Sequence, residues 1–235
     1  MASTISNTPT NFISGVTGVT VEAKQLTSSF YAIILDESGS MHQHTADTLG
    51  SLKQFQADQR KISAPESQVQ LTTFNHRSTL RWTGKLTDDL AFEYSPRGNT
   101  ALHDAIHFGI QQTDSALAVL RSLGQAPADI YCIIITDGEE NASRQYTQQH
   151  SQELIKRKTD QDKWKFVYLG ANQDAFKAGA SIGVSAETCL NYAQNSKATP
   201  NAFRSVSQAI YRQKATGDVA SMEFTEAERM TSNTA

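Results

Sequence analysis

Three short stretches hold the residues whose types and spacing suit chemistry. The first is Asp36-Glu37-Ser38-Gly39-Ser40-Met41, the second Gly98-Asn99-Thr100 and the third Asp137-Gly138. Brought together, they would pool the carboxylates of Asp36 and Asp137 with the hydroxyls of Ser38, Ser40 and Thr100. Oxygen donors of this kind suit a hard divalent cation. The glycines beside them let the backbone turn tightly enough for the side chains to converge. Neutral hydroxyls quench little of an ion's charge and leave it ready for one more anionic oxygen from outside. Magnesium fits such a design, because it demands octahedral geometry and keeps waters or borrowed ligands. A lone Asp-x-Ser-x-Ser is most often a turn with capping hydroxyls. Thr100 and Asp137, at two further element ends, turn it into a metal-site pattern.

Other residues invite sharper readings that weigh less. His103-Asp104-Ala105-Ile106-His107 imitates the zincin His-Glu-x-x-His, with both imidazoles on one helix face. Asp104 is shorter than the glutamate base and no third ligand follows at metzincin spacing, so an ordinary helix is expected. His42 and His44 read as loop-surface residues, and Glu37, Glu139 and Glu140 as solvated loop charges. Lys156-Arg157-Lys158 complements a helix C-terminus. Trp82 and Trp164 read as packing residues, since no basic stripe accompanies them. Cys132 and Cys189 read as small core residues outside any Cys-x-x-Cys pattern.

Convergence of the three stretches requires several strands ending at one edge of a sheet. Residues 30–35 are a continuous apolar run leading to Asp36, 130–136 a second leading to Asp137, and 165–169 a third leading to Gly170. Such runs mark strands buried on both faces. Ala46, Leu49, Leu52 and Phe55 make a helical stripe after the first. Residues 68–74 and Leu80 with Trp82 alternate around a turn at 75–78, which predicts a hairpin. Apolar positions from Leu102 to Leu120 recur every three or four residues, the most regular helix of the chain. A polar helix over 146–158, a short helix near 174–180 and a weak strand near 188–192 follow. Thr199-Pro200 looks like an N-cap with proline at the first helical position. Strands alternating with helices predict an α/β fold: a doubly wound, mostly parallel sheet with one antiparallel edge strand and helices on both faces. In such sheets ligands sit outside the carboxyl ends of the strands.

The chain has 235 residues, 38% hydrophobic and 19% charged, with a formal net charge of −3. That is enough to bury a core without staples. The near-neutral balance gives no electrostatic reason to expect nucleic acid, and no apolar run is long enough to span a membrane. No basic stretch followed by an apolar one opens the chain, so no secretory signal is visible and a cytoplasmic location, or one inside an assembled particle, is expected. Residues 1–28 read as a flexible arm in which Val19 and Val21 could form a short edge strand. Residues 29–216 read as the domain and 217–235 as a tail, in which Thr225 and Glu228 could cap a last helical turn.

Asp36-x-Ser38-x-Ser40, Thr100 and Asp137-Gly138 together resemble the metal-ion-dependent adhesion site of von Willebrand factor type A domains. The resemblance spans roughly residues 28–195. Met41 and the run Asp104-Ala105-Ile106 also look family-like. The run Tyr168-Leu169-Gly170-Ala171-Asn172-Gln173-Asp174 resembles stand-alone domains of bacterial and phage proteins. The resemblance implies a Rossmann-like six-stranded sheet of order 3-2-1-4-5-6. It also implies Ser38, Ser40 and Thr100 as hydroxyl ligands, with Asp36 and Asp137 acting directly or through water. The implied ion is Mg²⁺, with Mn²⁺ or Ca²⁺ as alternatives. The implied function is not enzymatic: a protein-binding module that takes a partner's acidic residue onto the metal. The alternative is a structural or assembly subunit of a phage or other particle, in which the metal mainly stabilises the fold.

Overall fold

The computed structural model describes residues 26–171 and 174–234. The arm up to residue 25, with its suggested strand at Val19 and Val21, lies outside the described residues, as do Asn172 and Gln173. Six strands, β1 (Ser29–Asp36), β2 (Gln68–Phe74), β3 (Ser78–Lys85), β4 (Asp129–Thr136), β5 (Lys165–Ala171) and β6 (Cys189–Tyr192), form one sheet in the order β3-β2-β1-β4-β5-β6. β1 pairs in parallel with both β2 and β4, β4 with β5, and β5 with β6. Among the described residues only the hairpin partner β3 runs antiparallel. This is the expected Rossmann-like α/β architecture.

The helices are α1 (Thr45–Ile62), α2 (Leu102–Ser122), α3 (Gln148–Asp160), α4 (Ala175–Ser181), α5 (Ala198–Thr216) and α6 (Glu226–Ser232). Every residue of β1 is buried, and its side chains alternate between two cores. Tyr31, Ile33 and Leu35 pack with Leu52 and Phe55 of α1 and Phe203, Val206 and Ile210 of α5. Phe30, Ala32 and Ile34 pack with Leu102, Ile106 and Ile110 of α2 and Ile155 of α3. α2 lies so close to β1 that a Cβ added at Gly109 would fall 2.8 Å from Ile34 Cδ1. Among the described residues no helix is long and apolar enough to cross a membrane.

Four details differ from the sequence expectations. Ala46 is exposed, so the buried stripe of α1 runs through Leu52 and Phe55. α5 starts before Thr199: Asn195 Oδ1 accepts the backbone N–H of Lys197 and Ala198, at 2.9 and 2.7 Å. Pro200 still lies in the first helical turn, where its missing N–H removes no helical bond. Residues 27 and 28 already belong to the domain, since Thr27 O accepts from Ala64 N and Ser28 O from Ala128 N. Residues 217–234 are not a tail. They turn back through a short 3₁₀ helix (Val219–Met222) into α6, and bury Met222 and Phe224 in the core that holds α5. Thr225 and Glu228 do form the capping box, and Glu228 also takes the Arg212 guanidinium at 2.7 Å.

Candidate metal centre

The parallel pairing of β1 with β4 places the ends of both strands side by side, and the three stretches meet there. Asp36 closes β1 as a fully buried carboxylate. Its Oδ1 accepts the backbone N–H of Ser38 at 2.7 Å and its Oδ2 the hydroxyl of Thr136 at 2.6 Å. Burial pushes this carboxyl up to about 6, against the pull of the Thr136 and Ser38 hydrogen bonds and with a small push from Asp137. A cation alongside would act in the opposite direction.

From Ser38 the oxygens run in a connected line. Ser38 Oγ lies 3.1 Å from Ser40 Oγ, and Ser40 donates its hydroxyl to Asp137 Oδ1 at 2.6 Å. Thr100 Oγ1 flanks the same space: a Cβ added at Gly138 would sit 3.1 Å from it and 3.9 Å from Ser40 Oγ. Glycine at 138 therefore keeps open a cradle that a side chain would fill. Backbone bonds hold the loops in place. Gly39 N donates to Gly98 O at 3.0 Å, and Asn141 N and Ala142 N donate to Thr100 O. In return, Thr100 N donates to Asn141 Oδ1 at 3.0 Å.

The structure thus brings Asp36, Ser38, Ser40, Thr100 and Asp137 to one place. All five offer hard oxygen atoms, and the donor chemistry and the open cradle fit a hard divalent cation. Among the described residues no three His, Cys, Asp or Glu side chains gather to hold a metal, so any ion here depends on the hydroxyls.

Several neighbours escaped sequence reasoning. Gln194, on the loop after β6, donates Nε2–H to Asp137 Oδ2 at 2.9 Å and lies 3.3 Å from Met41 Sδ. Nothing in its local pattern marks it; only the sheet order brings it near. Tyr94 donates to the Asp36 carbonyl at 2.6 Å.

The glutamates near the site depart from the solvated-charge expectation in two cases out of three. Glu37 is buried, accepting from Arg81 Nη2 at 2.7 Å and from Ser95 N at 2.8 Å. Glu140 accepts from the backbone N–H of His103, Ala142 and Ser143 and from the Ser143 hydroxyl. Burial alone would raise its carboxyl, but these bonds outweigh burial and hold it below the usual glutamate range. Glu139 is exposed. The His103 and His107 side chains have other partners: His103 Nδ1 lies 3.2 Å from Ser151 Oγ, and the His107 ring stacks on Tyr146 with centroids 3.6 Å apart. Asp104 between them accepts the backbone N–H groups of Arg144, Gln145 and Tyr146.

No protein-family model matches the sequence, and no curated protein matches it. Solved structures do. Proximal thread matrix protein 1 from the mussel byssus, solved with a zinc-occupied MIDAS motif, is 18% identical over 84% of this chain and 46% of its own, with a TM-score of 0.50. A von Willebrand factor type A structure from Catenulispora acidiphila is 15% identical over 77% of this chain and 42% of its own, with a TM-score of 0.53. The pilus adhesin SpaC from Lactobacillus rhamnosus GG is 14% identical over 82% of this chain and 31% of its own, with a TM-score of 0.58. The chain spans less than half the length of each of these. With the strand order, the antiparallel edge and these likenesses in agreement, the chain has the fold of a von Willebrand factor type A domain.

Proposed function

We infer that this domain is a Mg²⁺-dependent protein-binding module without turnover. The observation that carries the reading is the meeting of the three loops: Thr100 and Ser40 flank the cradle at Gly138, Ser40 Oγ joins Ser38 Oγ to Asp137, and Asp36 holds the Ser38 backbone. Ser38, Ser40 and Thr100 would hold the ion through neutral oxygens, and Asp36 and Asp137 would supply charge directly or through water. A divalent ion held mainly by neutral oxygens supplies a Lewis-acidic position for one carboxylate oxygen of a protein partner. The chain's own contribution is rigidity. Hydrogen bonds from Ser38 N and Thr136 fix Asp36, and the Glu37 and Thr100 loop contacts fix the hydroxyl-bearing backbone.

The likeness to a mussel matrix protein with a zinc-occupied MIDAS motif supports a divalent ion, and the likeness to a pilus adhesin supports protein binding. Calorimetric titration with MgCl₂, MnCl₂, CaCl₂ and ZnCl₂ tests the reading and ranks the ions. Wild-type protein is expected to bind one equivalent of Mg²⁺, and Asp137→Ala and Ser40→Ala to bind far more weakly. Absence of heat with all four salts, or equal affinity in the variants, overturns it.

A further inference from the structure

Both carboxylate oxygens of Asp137 meet a donor. The Ser40 hydroxyl occupies Oδ1 at 2.6 Å, and the Gln194 carboxamide occupies Oδ2 at 2.9 Å. The direction of the amide follows from its partners. Nε2 carries two N–H groups, and it faces the carboxylate on one side and Met41 Sδ, a weak acceptor, 3.3 Å away on the other. The reverse orientation would turn a carbonyl oxygen towards an anion, so the hydrogen-bond network fixes the assignment.

The loop holding Gln194 is tied down on either side of it. Ala193 N donates to Ser232 O at 3.0 Å, and Asn195 Nδ2 donates to Thr234 O at 3.3 Å. Asn195 also accepts from the first N–H groups of α5. Gln194 therefore extends from a loop anchored to the end of the chain, with its amide already placed against Asp137.

An N–H dipole and a cation both draw on the negative charge of one carboxylate, so a donor on Asp137 lowers what its remaining lone pairs can offer an ion. In a partly buried site this opposition is stronger than in water. We propose that Gln194 is a latch on the site: its carboxamide holds Asp137 in its present arrangement and competes with a divalent cation for that carboxylate. The latch rests on the metal-binding reading above and concerns a residue outside the five ligands. It weakens ion binding by drawing on the charge of Asp137, the carboxylate that its N–H meets at 2.9 Å.

Gln194→Met keeps the length of the side chain and removes both N–H donors, and Gln194→Ala removes the side chain altogether. Calorimetry with MgCl₂ and MnCl₂ on the full chain should show about tenfold tighter binding in both variants, the scale of losing one hydrogen bond to a charged group. Thermal unfolding in EDTA should give lower midpoints than wild type, and added Mg²⁺ should raise them by more. A merely structural role for Gln194 would lower the midpoints without tightening binding. Wild-type binding with unchanged dissociation constants in both variants refutes the latch and leaves the metal reading intact. Weaker binding in both also refutes it, and makes Gln194 a positioning residue that supports Asp137 rather than a latch. Loss of the metal reading looks different: neither wild type nor either variant binds, and the latch falls with it.

Discussion

Ser40 and Asp137 lie 97 residues apart in sequence and share a 2.6 Å hydrogen bond at the edge of the sheet. The parallel pairing of β1 with β4 makes that contact, and it joins the first and third stretches of the candidate site. A cation held between the loops would stabilise only the folded chain, because the unfolded chain scatters the five oxygens. At a hundredfold excess over the dissociation constant the gain is about 2.7 kcal/mol. For a domain of this size that raises the melting midpoint by about 5–10 °C. Thermal unfolding in EDTA and in millimolar MgCl₂ should therefore separate in the wild type and coincide in Asp137→Ala. Coincident wild-type midpoints would count against the site.

Arg81 occupies the bulge in β3: the register passes from Leu71 opposite Trp82 to Thr72 opposite Leu80 and skips it. Bulges re-aim side chains. This one sends the guanidinium to Thr73 Oγ1 and Glu37 Oε2, both at 2.7 Å. Arg81→Met would leave a buried carboxylate with Ser95 N as its remaining donor. Because Arg81 is about a quarter exposed, screening reduces the penalty to about 1–3 kcal/mol in urea denaturation. Glu37→Gln in the same background should recover part of that loss. A double variant whose loss is the simple sum of the two single losses would show that the pair is uncoupled.

Asp104 gathers three consecutive backbone N–H groups and so pins the loop that leads into α3. Asp104→Ala should speed hydrogen exchange at Arg144, Gln145 and Tyr146 selectively. The flanking histidines have structural partners, so replacing His103 and His107 together by Gln should leave divalent-metal content unchanged. Stoichiometric zinc that vanishes in the double variant would restore the zincin reading.

The sheet was legible because its strands are buried on both faces. A continuous apolar run such as residues 130–135 suits a strand covered on both sides better than a helix with one wet face. The cluster was legible because its five members stand at or near element ends, where sequence order and strand order together dictate position. Gln194 was invisible, since its contact with Asp137 depends on where β6 falls in the sheet rather than on any neighbour in sequence. Glu37 and Glu140 misled for a related reason. Polar loop residues carry no local sign of the distant partners they meet, His103 N for Glu140 and the Arg81 guanidinium and Ser95 N for Glu37. Residues 217–234 lack a long periodic stripe, so the two apolar anchors Met222 and Phe224 could not be told from scattered hydrophobes.

Those anchors make the end of the chain part of the fold. Phe224 and Met222 are almost completely buried against the α1 and α5 side of the sheet, and Ala193 N donates to Ser232 O. Phe224→Ala should cost about 3–5 kcal/mol in denaturant unfolding, the range for removing a buried aromatic side chain. A chain stopped after Thr216 would lose both anchors and the Arg212–Glu228 ion pair, and should unfold at lower urea than the Phe224 variant. A truncated chain as stable as the full one would return this segment to the status of a tail.

Lys214 supplies a pH-dependent test of how the chain's first described residues dock. Its ammonium donates to Ser29 Oγ at 2.6 Å and to Thr27 O at 3.4 Å, beneath the start of β1. Burial lowers it from 10.5 to about 8, with Asp129 opposing the shift and Lys165 adding to it. Below pH 8 the group is charged in both states, and the folded chain carries the full cost of its burial. Between about 8 and 10.5 the unfolded chain binds more protons than the folded one, so stability contributed by this group rises with pH. Lys214→Met removes the titration and leaves the other groups in place. Urea unfolding of both proteins at several pH values should show wild type gaining on the variant from pH 8 to 10, with a flat difference from pH 6 to 7.5. A difference that stays flat throughout, or that narrows in the wild type's disfavour above pH 8, would mean that Lys214 keeps an ordinary ammonium in the folded chain.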